Sequence, residues 1–243
     1  MFLRFLWVGV MAGILAGVPT AAIQHVTTTP LILAAEFYEN SEASHHAAAH
    51  QFEVINANVI LVHGDINETE EEAWAPDNGL ERTFYTSIAT IITTIGYSLM
   101  LLAAMFLAKG KISPRSGLIW GLAGFTATGL APSLGLSPEL PGAAAADLTA
   151  RQMWWGGTVV ATAVGLWLVL RVSKIWAIIL GICVIGLPHL IGAPQPVMLT
   201  SEVPSELAAH FASSSLVLHA IAWVFAGCAV GFVWQRQEKA AEG

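Results

Sequence analysis

Charge is scarce in this chain. Its 243 residues hold ten Lys and Arg and seventeen Asp and Glu, whereas apolar side chains make up 55%. A soluble domain of this length carries about a quarter charged residues, so a water-surrounded globule is excluded. Cysteine is nearly absent: Cys183 and Cys228 have no C-x-x-C spacing and read as small core residues of apolar stretches. No GxxxxGK[ST] sequence occurs, so the chain does not itself hydrolyse a nucleotide on a phosphate-binding loop. Basic clusters of the kind that grip nucleic acid are missing too. Nor do short alternating segments occur, which excludes a transmembrane barrel.

What is present is a set of long apolar runs: roughly 3–23, 83–108, 116–135, 152–170, 175–192 and 213–234. A helix needs about 20 residues to cross a ~30 Å hydrocarbon core and satisfies its own backbone there. The expected fold is therefore all-α: a single integral membrane domain over 1–243, with about six transmembrane helices. Lys and Arg orient it. Arg4, Lys109, Lys111, Arg115, Arg171, Lys174, Arg236 and Lys239 fall on one side, and only Arg82 and Arg151 on the other. The basic side is expected to be cytoplasmic, with both termini there. Loops 24–82, 136–151 and 193–212 then face out. The first run also resembles a secretory signal, with Arg4 before it and small residues near Thr20–Ala22, but its length and the apolar Pro30–Leu33 beyond it argue against cleavage.

Every histidine, and almost every carboxylate, lies on the outer side. The net charge of −7 thus conceals a basic inner face and a strongly acidic outer one, and such a field concentrates cations. Loop 24–82 is an acidic, histidine-bearing insert. Within it, 34–53 is rich in alanine and free of Pro and Gly, which predicts a helix. Glu39, Glu42, His46, His50 and Glu53 would share one stripe of it. His46 and His50, four apart, can present two imidazoles to one metal; the same stripe also fits a solvated polar face. His25, Glu36 and Glu39 flank an expected break at Pro30 and can line an entrance or cap the interface.

The second half repeats itself. Pro132 and Pro138 are six apart, as are Pro188 and Pro194, and each pair ends an apolar run and leads into a new helix start. The spans are therefore expected to form hairpin repeats, spans three and four matching spans five and six. Pro- or Gly-interrupted apolar segments in corresponding halves point to a transporter's binding site. His189 follows Pro188 directly, and His210 and His219 lie near the outer entrance of the last span. Ionisable groups at membrane depth are functional candidates, although a lone histidine can also bond across helices. Glu139, Asp147 and Arg151 surround the other break, where Asp147 and Arg151 have the spacing to pair. Trp154 and Trp155 fit an interfacial belt, and the glycines of GLAGF (121–125) suit close helix packing.

The segments PLILAAEFYE (30–39), GLAGF (121–125), PSLGLSPELPG (132–142), DLTARQMWW (147–155) and LPHLIGAP (187–194) resemble those of the probable cobalt transporter subunit family, CbtA. The resemblance covers nearly the whole chain and is sharpest at 132–155 and 187–196. It implies uptake of Co²⁺ across a bacterial inner membrane, with a small single-span, histidine-bearing partner (CbtB-like). The positions it supports are Glu36, Glu39, Glu139, Asp147, Arg151 and His189; it lends nothing to His46 and His50.

The expected function is a membrane permease, not an enzyme, for a divalent transition metal that is cargo, not a resident cofactor. Imidazole suits Ni²⁺ and Zn²⁺ as well as Co²⁺. Candidate metal contacts are Glu36, Glu39, His25, His46, His50, His189, His210 and His219. Pro132, Pro138, Glu139, Asp147, Arg151, Pro188 and Pro194 are candidate gating or structural positions. Two other classes stay open: a haem or other redox subunit using His189 and His219 as axial ligands, and a non-transporting metal sensor or scaffold.

Overall fold

The computed structural model describes residues 2–38, 74, 76–197, 200–201 and 203–242. All regular structure in them is helical. Helix α1 (Phe2–Val26) turns at Thr27 into α2 (28–38), and α3 (Leu80–Leu107) follows. Then come α4 (Pro114–Phe125), α5 (Leu148–Arg171), α6 (Ile175–Ile191) and α7 (Ser205–Glu242). Four of these, α1, α3, α5 and α7, are long and apolar enough to cross a membrane, and α6 is a shorter apolar helix of 17 residues.

Local chemistry sets the helix ends. Ser113 caps α4: its hydroxyl accepts from Ser116 N at 3.2 Å, and the Ser116 hydroxyl accepts from Ser113 N at 2.9 Å. Pro114 stands at the first helical position, where its missing N–H costs nothing. Beyond Phe125 the helix widens into a π turn, Thr126–Leu130, and closes with Ala131–Ser133. Pro132 explains the widening. It has no N–H for the Thr128 carbonyl four residues back, and its ring would crowd that carbonyl.

Glycine sets which helices pair. A Cβ on Gly13 would sit 2.7 Å from Ile95 N, so α1 lies flush on α3. One on Gly117 would sit 2.7 Å from the Gly227 carbonyl carbon, joining α4 to α7, and one on Gly165 would sit 2.6 Å from Gly181 O, joining α5 to α6. Small residues are what lets helices approach where lipid removes the hydrophobic drive. Helices α1, α3, α4 and α7 make one body around Val8, Leu102, Met105 and Val230, with Leu101, Trp223 and Ala226 above them. The α5–α6 hairpin meets that body mainly at the π turn and the last turn of the α4 run.

This corrects the expected hairpin arrangement. Spans three and four meet mainly where span three ends, at the π turn and Ala131–Ser133, whereas α4 packs on α7 and α5 on α6. The prolines also act differently than expected. Pro188 lies inside α6, and the break comes at Gly192, whose φ of 89° suits glycine. Even so, the two copies end alike. The Pro132 carbonyl accepts from Leu136 N at 2.8 Å and the Pro188 carbonyl from Gly192 N at 3.1 Å, four residues on in each case. Pro30 is not a break either; the turn is at Thr27, and Pro30 sits in the first turn of α2. Of the predicted helix 34–53, only 34–38 fall among the described residues, and they are helical. Cys183 is exposed on α6, not a core residue.

Among the described residues, most basic side chains gather at one end. At one end the Arg4 guanidinium lies 4.6 Å over the Trp234 ring, Arg171 donates to Ala108 O, and Gly231 packs on Ser113. These contacts gather the first turns of α1, the α3–α4 and α5–α6 links and the end of α7, with Lys109, Lys111, Arg115 and Lys174. At the opposite end Ala35, Leu140 and Val203 pack with Leu207 and Phe211, tying α2 to the links before α5 and α7.

Candidate functional site

The acidic end holds three separate polar sites. In the first, Arg82 at the start of α3 grips Glu36 of α2 with both arms of its guanidinium; one bond is 2.8 Å. The pair holds the Glu36 carboxyl below its ordinary value of 4.5, chiefly through the Arg82 hydrogen bond, while partial burial works against it. His25 is exposed and shares a cavity of about 90 Å³ with Arg82. The expected His25–Glu36 entrance is thus occupied by a fixed cation, and both Glu36 oxygens are taken. Glu39, His46 and His50 lie outside the described residues.

The second site is His189, on the last turn of α6. Its ring meets Trp154 of α5 edge-on at 5.7 Å, and the Trp154 indole N–H donates to Pro188 O at 3.2 Å. Gly135 makes room, since a Cβ there would be 2.6 Å from the indole. The His189 Nε2 is buried, with no hydrogen-bond partner among the described residues. Trp154 therefore does more than sit in an interfacial belt: it locks α5 to α6 beneath His189.

The third site is a cavity of about 550 Å³ between the chain after α4, the start of α5 and α7. Glu139 and Arg151 line it and pair at 2.5 Å. The expected Asp147–Arg151 pair does not form. Asp147 instead caps α5, accepting from Ala150 N at 2.8 Å, which leaves Arg151 for Glu139. Pro132, Pro138 and Trp155 shape the walls, and His219 also faces the cavity.

Sequence reasoning noted His219 but missed its surroundings. The Trp223 indole N–H donates to His219 Nε2 at 3.0 Å, and the Thr128 hydroxyl lies 3.0 Å from the same nitrogen. An indole N–H only donates, so Nε2 is an acceptor and the neutral ring carries its proton on Nδ1. Tyr97 stacks on Trp223 at 4.2 Å, and a Cβ on Gly129 would be 2.6 Å from the imidazole. His219 also lines a second groove of about 400 Å³, walled by Thr20, Gln24 and Thr28 of the first helices and by Thr86, Thr90 and Thr94 of α3. The signal for it was in the sequence. Thr20, Gln24 and Thr28 recur every four residues, as do Thr86, Thr90 and Thr94, a polar stripe on otherwise apolar spans.

His210 is exposed on the early turns of α7, away from this cluster. Among the described residues, no three His, Cys, Asp or Glu side chains gather as a metal ion would need. Glu36 on Arg82, His189 on Trp154, and the cavity shared by Glu139 and His219 are thus three separate places. His189 and His219 have different ring partners, Trp154 for the first and Trp223 with Tyr97 for the second.

No curated protein and no solved structure matches the chain. Over residues 2–235, nearly its whole length, the chain matches the family described as probable cobalt transporter subunit (CbtA), and it belongs to that family.

Proposed function

We propose that this chain is the permease subunit that carries a divalent transition metal, Co²⁺, into the cytoplasm through a bacterial inner membrane. In this reading it crosses six times. Helix α6 and the run 114–133 serve as the two shorter spans, and both termini lie inside with the basic end. The acidic insert, with Glu39, His46 and His50, draws cations to the outer end.

One observation supports the reading: Glu139 and His219 line the same cavity of about 550 Å³, a carboxylate and an imidazole that face one space. These are ligands that a borderline divalent ion accepts. The ion enters by competing with Arg151 for Glu139. His219 then offers a lone pair once Nε2 releases the Trp223 indole. Hydroxyls and the Gln24 carbonyl of the threonine groove supply further oxygens on the other side of His219. With no nucleotide-binding loop in the chain, the driving force comes from the membrane potential, an ion gradient or a second subunit. The family's description as a subunit fits a small histidine-bearing partner.

Radiolabelled Co²⁺ uptake, with Ni²⁺ and Zn²⁺ as competitors, tests this. Glu139→Gln and His219→Phe should each lower uptake about tenfold or more, the usual cost of disturbing a metal's ligand environment. The Glu139–Arg151 pair is partly exposed and contributes under about 1 kcal/mol, so Glu139→Gln leaves the fold intact. Undiminished uptake in both variants would overturn the proposal.

A further inference from the structure

A second cavity of about 550 Å³ runs from the basic end between α5 and the four-helix body, as far as Thr128 and Trp223. Its walls are apolar and include Trp120, Trp167 and Trp223. Met100, Ile119, Trp167 and Leu170 along it are exposed, so it opens sideways toward the surroundings of the helices. Charge appears only at its mouth, as Lys111 and Arg171. Arg171 gives one N–H to Ala108 O and lies 5.7 Å from the Trp167 ring centre, with further N–H groups able to donate. Among the described residues neither cation pairs with a carboxylate.

A sideways-open apolar trough that ends in two cations with no carboxylate partner among the described residues asks for a ligand with an acyl chain and an anionic head. We propose that it holds one anionic phospholipid, its phosphate between Lys111 and Arg171 and a chain along the tryptophans. Basic pockets between helices on the inner side of a membrane bind such heads. A partner helix would fill the apolar part equally well, but it gives the two cations no reason to stand at the mouth. The inference rests on membrane placement of the chain and not on what it carries.

Native mass spectrometry of the full chain in mild detergent tests it, with phosphatidylglycerol and phosphatidylcholine of identical chains added at equal concentration. Each cation favours the anionic head roughly fivefold, and the two together roughly thirtyfold. Lys111→Gln, at an exposed position, should cost one such factor, and adding Arg171→Gln should erase the preference. Ala163→Trp, which fills the trough, should release both lipids. Equal retention of the two lipids by the native chain would overturn the proposal. So would a preference that outlives both charge substitutions, retention unaffected by Ala163→Trp, or a co-purifying single-span polypeptide that excludes both lipids. None of these outcomes depends on Co²⁺ uptake.

Discussion

The indole N–H of Trp223 donates to Nε2 of His219, one helical turn earlier on α7, at 3.0 Å. The bond occupies the lone pair that a metal would use. Tyr97 braces the indole from α3, and Thr128, exposed to His219 by the π turn, closes the other side. His219 is therefore held by its neighbours between the Glu139 cavity and the threonine groove.

Replacing Trp223 with Phe keeps an aromatic surface for Tyr97 and removes the donor. A net hydrogen bond is worth about 1 kcal/mol, which corresponds to about fivefold in affinity. The expected outcome is a KM for Co²⁺ lower by about that factor, measured by initial uptake rates. A KM that is unchanged or raised would take the indole out of the route.

The Glu36–Arg82 pair predicts a pH dependence. Glu36 titrates below its ordinary 4.5 in the folded chain. Its contribution is therefore complete above the unfolded value, and is lost as pH falls through the lower folded value. The pair is about a quarter exposed, so the contribution stays under about 1 kcal/mol. Thermal melts of native protein should fall between neutral pH and pH ~3. Melts of Glu36→Gln should start slightly lower and lose less over that range. Parallel slopes would show that Glu36 is not held by Arg82 in solution.

The sequence revealed the helices far better than their partners. Long apolar runs specify helices because lipid leaves backbone groups no other option. They do not specify pairing, since a face turned to lipid and a face turned to a helix are equally apolar. The pairing information sits in single glycines such as Gly117 and Gly227, whose role appears only once two backbones meet. The candidate site shows the same division. Glu139, Arg151, His189 and His219 were visible as polar residues near helix ends. The choice of Glu139 over Asp147 as the Arg151 partner was not, because Asp147 is consumed by a local cap and Glu139 is brought in by the chain turning after Pro132. Glu36 and Arg82 are 46 residues apart, across the insert, and no local pattern announces their contact.

Gly117 gives the sharpest test of the pairing. Any Cβ there would collide with the Gly227 carbonyl of α7, which is backbone and has no rotamer to yield. Gly117→Ala should therefore push α4 from α7 and cost about 1–3 kcal/mol, in the range of overpacked cores. Gly156 on α5 meets nothing within 4 Å. Gly156→Ala should be neutral or stabilise by up to about 1 kcal/mol, since alanine is the better helix former. Both can be read as melting temperatures in detergent by size-exclusion after heating. If the two variants melt together, α4 and α7 are not in backbone contact. The π turn would then no longer be held where Thr128 meets His219, so the same experiment bears on the outer cavity as well as on the fold.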